Sequence, residues 1–345
     1  MRVWMWPKSS RLNMYNDLLS DSLSDEGLDI QDLEHGKLML KVGRAKAGDI
    51  VHVHWIHHAY QHPNFLIFLV KACILLLTLT YLKLRRVGVV WTIHNLYPHH
   101  VKYPRMERLM RTIICKYCRG LIVASQSIKR KVIDAFHVSP GKVHVVKHGH
   151  YLDVYKPQGI SIRERYGIGE DGDVLLFMGA IKAYKGVEEL VQAFNRLKER
   201  NTYLIIAGKA DPELRQYLQS MEDSRQIIQK LEFIPNEEVA DLLLAADIMV
   251  LPYKEITTSG SAILGLSFKK LVVMPDNEFI DEYFLENMVV RYDPSQPSGL
   301  ENALKQARNL KGERNAKSPN YEEALLPLEW SAVAKKTKQV YQGWG

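Results

Sequence analysis

Leu175 to Phe194 reads LLFMGAIKAYKGVEELVQAF, and this stretch decides the fold. Val174 to Met178 is an apolar run of the length of a buried strand, and Gly179 opens a short loop that holds Lys182 and Lys185. Gly186 closes the loop, and Val187, Leu190, Val191 and Phe194 follow at helical spacing. A strand feeding a helix through a short loop leaves backbone N–H groups unpaired at the helix N-terminus, where an anion is favoured. Two lysines beside that terminus add mobile positive charge suited to a diphosphate. A solvated loop that happens to hold two lysines is the alternative reading of the same residues.

The same strand and helix alternation extends outward on both sides. Downstream, YLIIAG (Tyr203 to Gly208) is a buried strand ending in glycine, and DIMVLP (Asp247 to Pro252) is another. The loop YKEITTSGS (Tyr253 to Ser261) then leads into an apolar helix, giving a second helix N-terminus that can present N–H groups and hydroxyls to a phosphate or sugar. Glu255, Thr258, Ser259, Gly260 and Ser261 are its candidate donor-binding residues, beside Gly179, Lys182 and Lys185 in the first loop. Both loops follow strands of the same half, where open α/β sheets gather ligands.

Upstream, strands are expected at Val3 to Trp6, Asp49 to Trp55, Val87 to Thr92, Gly120 to Ser125 and Lys142 to His148. The loop Pro7 to Asn13 is polar and basic, so Lys8, Ser9 and Arg11 are candidate acceptor-side contacts, with Asn13 as the expected cap of the next helix. VVWTIHN ends a buried strand with His94 at its carboxyl edge and Asn95 after it, the place for a catalytic or sugar-contacting side chain. His52, His54, His57, His58 and His62 crowd one segment, but no carboxylate or cysteine completes a metal set there. Structural or substrate-contacting roles are expected for them. Pro157 to Gly172 links the halves, and a final helix is expected over Ser331 to Tyr341.

A chain of 345 residues with 46% hydrophobic and 25% charged residues has the makeup of an ordinary globular protein, with two domains expected. The net charge of +7 suits a phosphorylated substrate or an anionic membrane surface. Nucleic acid is set aside, because zinc-finger spacing, a long basic helix and a basic tail are all missing. Three cysteines make no even framework, which favours a reducing cytoplasm, and the C-x-x-C at Cys115 and Cys118 lies in an apparent helix with no partner pair. The N-terminal apolar run ends at Pro7, too short for a secretory signal core. Phe65 to Leu84 reaches the length of a membrane span, yet it fills the slot of a helix joining two parallel strands. It is read as partly buried, with surplus apolar surface able to rest on a bilayer, and 65–86 is the candidate contact with an anionic membrane.

These residues resemble the GT-B superfamily of nucleotide-sugar glycosyltransferases, in its bacterial "group 1" branch. GAIKAYKG resembles the family's diphosphate loop, with Lys182 and Lys185 as the basic residues and Ala180 where many members carry arginine. DIMVLPY followed by TTSGSAILGLSFKKLVV resembles the donor-gripping segment, TIHN matches the sugar-site histidine, and KHGH matches the domain-joining turn. The closing Trp330 and its helix resemble the tail that crosses back onto the first domain. Many retaining members carry two glutamates in the donor-gripping segment; Ile256 and Leu264 stand at those positions here, with Glu255 adjacent to the first. The resemblance implies two Rossmann-like, doubly wound parallel-sheet α/β domains facing a central cleft. Residues 1–155 would bind the acceptor, 156–328 the nucleotide sugar, and 329–345 would form the returning helix. It implies a cytoplasmic hexosyltransferase, peripheral on the inner membrane face, using a nucleotide diphosphate sugar and a saccharide or lipid-linked acceptor, as in exopolysaccharide assembly. His94 and Lys185 would be catalytic, and no metal or other cofactor is expected. A nucleotide-sugar epimerase of the same fold and a non-enzymatic membrane-peripheral scaffold are the alternatives.

Overall fold

The computed structural model describes residues 1–10, 14–33, 41–98, 101–221, 225–254, 256, 258–314 and 319–343. The chain divides into two compact units, Met1–Gly149 with Pro327–Gly345, and His150–Leu326. In chain order the first unit holds β1 (Arg2–Trp6), α1 (Tyr15–Asp25), β2 (Asp29–Asp32), β3 (Ile50–Val53), α2 (Phe65–Leu84), β4 (Gly88–Thr92), α3 (Pro104–Tyr117), β5 (Gly120–Val123), α4 (Gln126–Phe136) and β6 (Val143–Val145). The second unit holds α5 (Ile162–Arg165), β7 (Asp173–Met178), α6 (Val187–Leu197), β8 (Thr202–Ala207), α7 (Pro212–Gln219), β9 (Ile227–Lys230) and α8 (Asn236–Ala245). It continues through β10 (Ile248–Val250), α9 (Gly260–Ser267), β11 (Leu271–Pro275), α10 (Glu278–Tyr283), β12 (Val289–Tyr292), α11 (Gly299–Arg314) and α12 (Tyr321–Leu325). The last helix, α13 (Trp330–Gln342), belongs to the first unit.

Each unit is a parallel sheet of six strands. The first has the order β2-β1-β3-β4-β5-β6, with β3 and β4 paired in register from Ile50 opposite Gly88 to Val53 opposite Trp91. Its inner strands β1, β3, β4 and β5 are buried along almost their whole length, as a sheet covered on both sides requires. Val3, Met5, Ile50, Val90 and Ile122 pack with Leu19 and Leu23 of α1 and Val333 and Tyr341 of α13. The alternate residues Val51, Val53, Val89, Trp91 and Leu121 pack with Phe68, Leu75 and Leu79 of α2, Ile114 of α3 and Val132 of α4. The side-chain period of two along a strand thus sends neighbouring residues into two separate cores.

The helix α2 is the crossover between β3 and β4, so its apolar length joins two adjacent strands of one sheet. Asn64 caps it, its side-chain oxygen accepting from the Leu66 and Ile67 N–H groups. Phe68, Ala72, Leu75, Leu79 and Leu82 face the core, while Leu66, Val70, Cys73, Leu77, Tyr81 and Leu84 form an exposed stripe on the other side.

The second sheet runs β12-β11-β10-β7-β8-β9. Renumbered from its own first strand this is the 3-2-1-4-5-6 order read from the other edge, which puts the topological switch point between β7 and β10. The unit begins at His150 rather than after Tyr155. The Tyr151 N–H donates to Ser267 Oγ at 2.9 Å, and a Cβ built on Gly260 would lie 3.6 Å from the Tyr151 hydroxyl. These contacts tie the start of the linker to α9. The structure also contains elements absent from the strand and helix expectations: β2, α10, α11 and α12. The expected cap at Asn13 lies outside the described residues.

Candidate functional site

In the second unit the two loops picked out by sequence leave adjacent strands at the switch point. The Gly179 N–H donates to the Ala207 carbonyl at 3.0 Å and the Ile181 N–H to the Lys209 carbonyl at 2.9 Å, which clamps the loop after β7 to the loop after β8. Gly208 has φ +148°, and a Cβ there would meet the Gly179 carbonyl oxygen at 1.8 Å, so the two backbones touch where a side chain has no room. Ala183–Lys185 form one 3-10 turn that brings the chain to Gly186. Gly186 has φ +67°, and a Cβ there would lie 2.0 Å from the Pro252 carbonyl oxygen. The start of α6 is thereby set directly against the end of β10.

That close approach puts Lys185 over the Tyr253 ring, with its Nζ 3.4 Å from the ring centroid. A lysine ammonium on an aromatic face is held by the ring quadrupole. Around it lie unsatisfied polar atoms. The Tyr253 hydroxyl and Thr258 Oγ1 are buried without a hydrogen-bond partner among the described residues. Gly179 lacks a Cβ where one would stand 3.4 Å from Ser261 Oγ and 4.0 Å from the Tyr253 hydroxyl, so these three groups converge. Ser259 Oγ is spent as the cap of α9, accepting from the Ala262 N–H at 3.1 Å. The N–H groups of Gly260 and Ser261 belong to the first turn, which has no intrahelical acceptors. Lys182 is half-buried at the head of the 3-10 turn. Lys254, next in the chain, pairs with Glu189 at 2.6 Å. Glu255 lies outside the described residues. Chemically this is an anion seat: one half-buried ammonium, a second lysine, first-turn N–H groups and unpaired hydroxyls.

In the first unit the site residues gather at the carboxyl ends of β1, β3 and β4. His94 stacks on Trp55, with ring centroids 4.7 Å apart and planes inclined by 16°. Its Nε2 lies 3.2 Å from His54 Nδ1. His52, two residues earlier on β3, is fully buried and bonded through Nδ1 to the Tyr341 hydroxyl at 2.6 Å and through Nε2 to Thr92 Oγ1 at 2.7 Å. Tyr15 of α1 packs edge-on against His94 at 5.1 Å and against Trp330 at 5.5 Å, and it lies 4.6 Å from His148. Trp330 in turn fills the space at Gly149, where a Cβ would come within 2.4 Å of the indole. Burial holds these imidazoles neutral: His52 is drawn down to about 3 and His148 to about 4, and His54 and His94 fall well below the ordinary range. For His94 the neighbouring His54 and His148 act in the same direction.

Arg111 and Glu107 underpin this edge. The Arg111 guanidinium is buried, bonds Glu107 Oε1 at 2.6 Å, donates to the Asn95 carbonyl at 3.3 Å and lies over the Trp91 ring. Tyr60 donates to the same carboxylate at 2.7 Å, and the Trp91 indole N–H donates to the His54 carbonyl at 2.9 Å. Asn95 is thus held by its backbone. The Lys8 N–H donates to Asp32 Oδ1 and the Lys8 carbonyl accepts from Ser20 Oγ, both at 3.0 Å, while Ser9 is exposed. Arg11 lies outside the described residues.

Cys115 and Cys118 are buried, and burial pushes the Cys115 thiol up to about 12 and raises Cys118 further from thiolate chemistry. Sequence reasoning named His94, Lys182 and Lys185 but passed over Tyr253, Tyr15, Arg111 and Glu107 as functional residues. Tyr253 is the one with a signal, since it directly follows a strand and heads the hydroxylic loop.

Comparison with known proteins follows the same division. Residues 160–322 match the family "Glycosyl transferases group 1". Over 235 residues the chain is 30% identical to a GDP-mannose:glycolipid 4-beta-D-mannosyltransferase of Xanthomonas campestris pv. campestris, covering 67% of this chain and 62% of that protein. The whole chain superposes on a sucrose-phosphate synthase from Thermosynechococcus elongatus with TM-score 0.74 and 15% identity, covering 99% and 98% of the two chains. Anabaena HepE in complex with UDP and glucose gives TM-score 0.69 at 14% identity, covering 99% of each chain. These structures share the fold, two parallel six-stranded α/β units of GT-B type. In its GT-B fold and in its match over residues 160–322 the chain is similar to the group 1 glycosyltransferases.

Proposed function

We propose that the chain is a hexosyltransferase that moves a sugar from a nucleotide diphosphate donor to a hydroxyl of a lipid-linked or saccharide acceptor. The observation that carries this reading is the anion seat at the β7 and β10 switch point, where Lys185 rides on Tyr253 beside the first turn of α9. Lys182, Lys185 and the N–H groups of Gly260 and Ser261 would neutralise the charge that grows on the departing diphosphate. Fixed positive groups aimed at developing charge are usually the largest catalytic contribution. With lysines and a helix terminus in that role, the diphosphate has a counter-charge made of protein groups, and a metal is not needed for it. Gly179, Thr258, Ser261 and Tyr253 would contact the donor. Ser259 would act through its cap, and Glu255 beside Ile256 remains the candidate ribose contact. In the first unit His94 would contact the sugar, and Lys8, Ser9, Arg11 and Asn95 would line the acceptor side.

The acceptor class is supported by α2. Leu66, Leu77 and Leu84 are 71%, 68% and 79% exposed on one stripe, and Lys83, Arg85 and Arg86 end it. Such a face suits peripheral seating on an anionic bilayer. The glycolipid named for the Xanthomonas relative and its 30% identity point the same way. A cytoplasmic setting on the inner membrane face, in polysaccharide assembly, fits the buried free thiols and the use of a nucleotide sugar. The test is sugar transfer from radiolabelled nucleotide sugars to lipid-linked saccharide in anionic vesicles. The Leu66→Glu, Leu77→Glu double variant is expected to lose vesicle binding by at least about tenfold, because each leucine kept from the bilayer forfeits about 1.5 kcal/mol or more. Unaltered co-sedimentation would remove the membrane contact from the reading, and failure with every donor would remove the enzyme.

A further inference from the structure

The histidine pair at the end of β3 and β4 contains one hydrogen whose position can be argued. His54 Nδ1 and His94 Nε2 are 3.2 Å apart, and one of the two must carry the hydrogen they share. If His94 Nε2 carried it, neutral His54 would bear its own hydrogen on Nε2. That atom is buried and has no hydrogen-bond partner among the described residues. A sealed N–H without an acceptor is the rarer and costlier arrangement. If His54 Nδ1 carries the shared hydrogen, the sealed atom is a bare ring nitrogen, and neutral His94 keeps its hydrogen on Nδ1.

The surroundings agree. The rings packed on the pair are His52, Trp55 and Tyr15, and His148 packs against Tyr15. None is acidic at neutral pH, and burial raises the Tyr15 phenol further. The neighbouring helix α3 brings the Arg111 guanidinium, which donates to the Asn95 carbonyl. Its partner Glu107 already accepts from Tyr60, Gln61 and Arg111. A proton gained by His94 would therefore find no free counter-charge among these groups. Burial and the adjacent imidazoles hold His94 neutral, far from the near-neutral pKa that suits a general base.

We propose that His54 is a positioning residue that fixes His94 in the tautomer with its hydrogen on Nδ1, so that His94 serves the sugar substrate as a neutral hydrogen-bond donor and not as a proton acceptor. Nε2 of His94 is occupied by His54, and Nδ1–H is the group offered to a sugar oxygen. No proton leaves His94 during transfer. The substrate half of this statement rests on the glycosyltransferase reading; the tautomer half does not.

The experiment is nitrogen NMR on full-length protein carrying 15N-histidine at neutral pH, with the His94 signals identified by their loss in His94→Gln. The expected result is a protonated-type Nδ1 and an unprotonated-type Nε2, with the bias lost in His54→Phe. A protonated Nε2 in the unsubstituted protein overturns the proposal. Kinetics supply the second arm. Asparagine places an amide N–H near the position of Nδ1, so His94→Asn is expected to stay within about tenfold of full transfer, while His94→Ala loses about 10²–10³-fold, the usual cost of one fixed donor. Equal losses in the two variants overturn the donor role. Absence of transfer in the unsubstituted protein, with the Nδ1 tautomer present, overturns the glycosyltransferase reading and the substrate half while supporting the tautomer assignment.

Discussion

Replacing Lys185 with alanine lowers sugar transfer by about 10²–10³-fold, the range for removing one group that meets charge developing in the transition state. The loss appears in kcat and in donor affinity together, because the same ammonium meets the diphosphate before and during departure. Folding of the second unit is expected to survive. Lys185 is half-buried, and its side chain sits over Tyr253, whose ring also packs edge-on against Phe177 at 6.4 Å, so the tyrosine remains held without the lysine. Steady-state kinetics with the melting temperature of the variant separate these effects. Lys254→Ala is the internal control, since Lys254 is committed to Glu189 at 2.6 Å on the exposed side of the loop. A Lys185→Ala enzyme within threefold of the unsubstituted rate would move the diphosphate away from this loop.

Acidification is expected to unfold the first unit well before the second. His52, His54, His94 and His148 are held neutral by burial, with folded values below the ordinary histidine value of 6.5. Below that value the unfolded chain binds protons that the folded unit refuses, so stability falls as pH falls. It is fully present above about 6.5 and is lost toward the folded values, about 4 for His148 and about 3 for His52. Each proton fully refused costs about 1.4 kcal/mol per pH unit, so the loss steepens as pH falls from 6 to 5. A few such protons weigh heavily against the roughly 5–15 kcal/mol of a typical domain. Trp4, Trp6, Trp55, Trp91 and Trp330 belong to the first unit and no tryptophan lies between His150 and Leu326, so tryptophan fluorescence does not report the second unit. Urea midpoints by tryptophan emission at pH 7.5, 6 and 5 are expected to drop steeply over the last step. A midpoint constant over that range would show that these histidines are not withheld from protonation.

Much of the fold was legible because parallel strands covered on both faces are plain apolar runs. Phe65 to Leu84 has the same bounds in sequence and structure, and the strand, basic loop and helix at 173–197 appear as read. Part of what escaped notice is polar, and α10 and α12 are too short to show a period. β2 reads DIQD and buries only Ile30, since it is an edge strand, and α11 is rich in charge and amide along its length. The anion seat was half legible: spacing gave the lysines, but the contact between Lys185 and Tyr253 depends on Gly186 meeting Pro252, which no local pattern announces. The histidine cluster was least legible. Tyr15, His54, His94, His148 and Trp330 come from five separate segments, and only the strand order brings them to one sheet edge. Arg111, which no sequence pattern singled out, is sealed against Glu107.

The most direct test of the central claim is isothermal titration of the full chain with UDP, GDP, ADP and their common sugar conjugates, repeated on Lys185→Ala. The account predicts binding of one nucleotide class by the unsubstituted protein and at least about tenfold weaker binding by the variant, as loss of a charge-assisted contact to phosphate requires. Equal affinity in both proteins, or no heat with any nucleotide, would contradict a diphosphate seat at the β7 and β10 switch point.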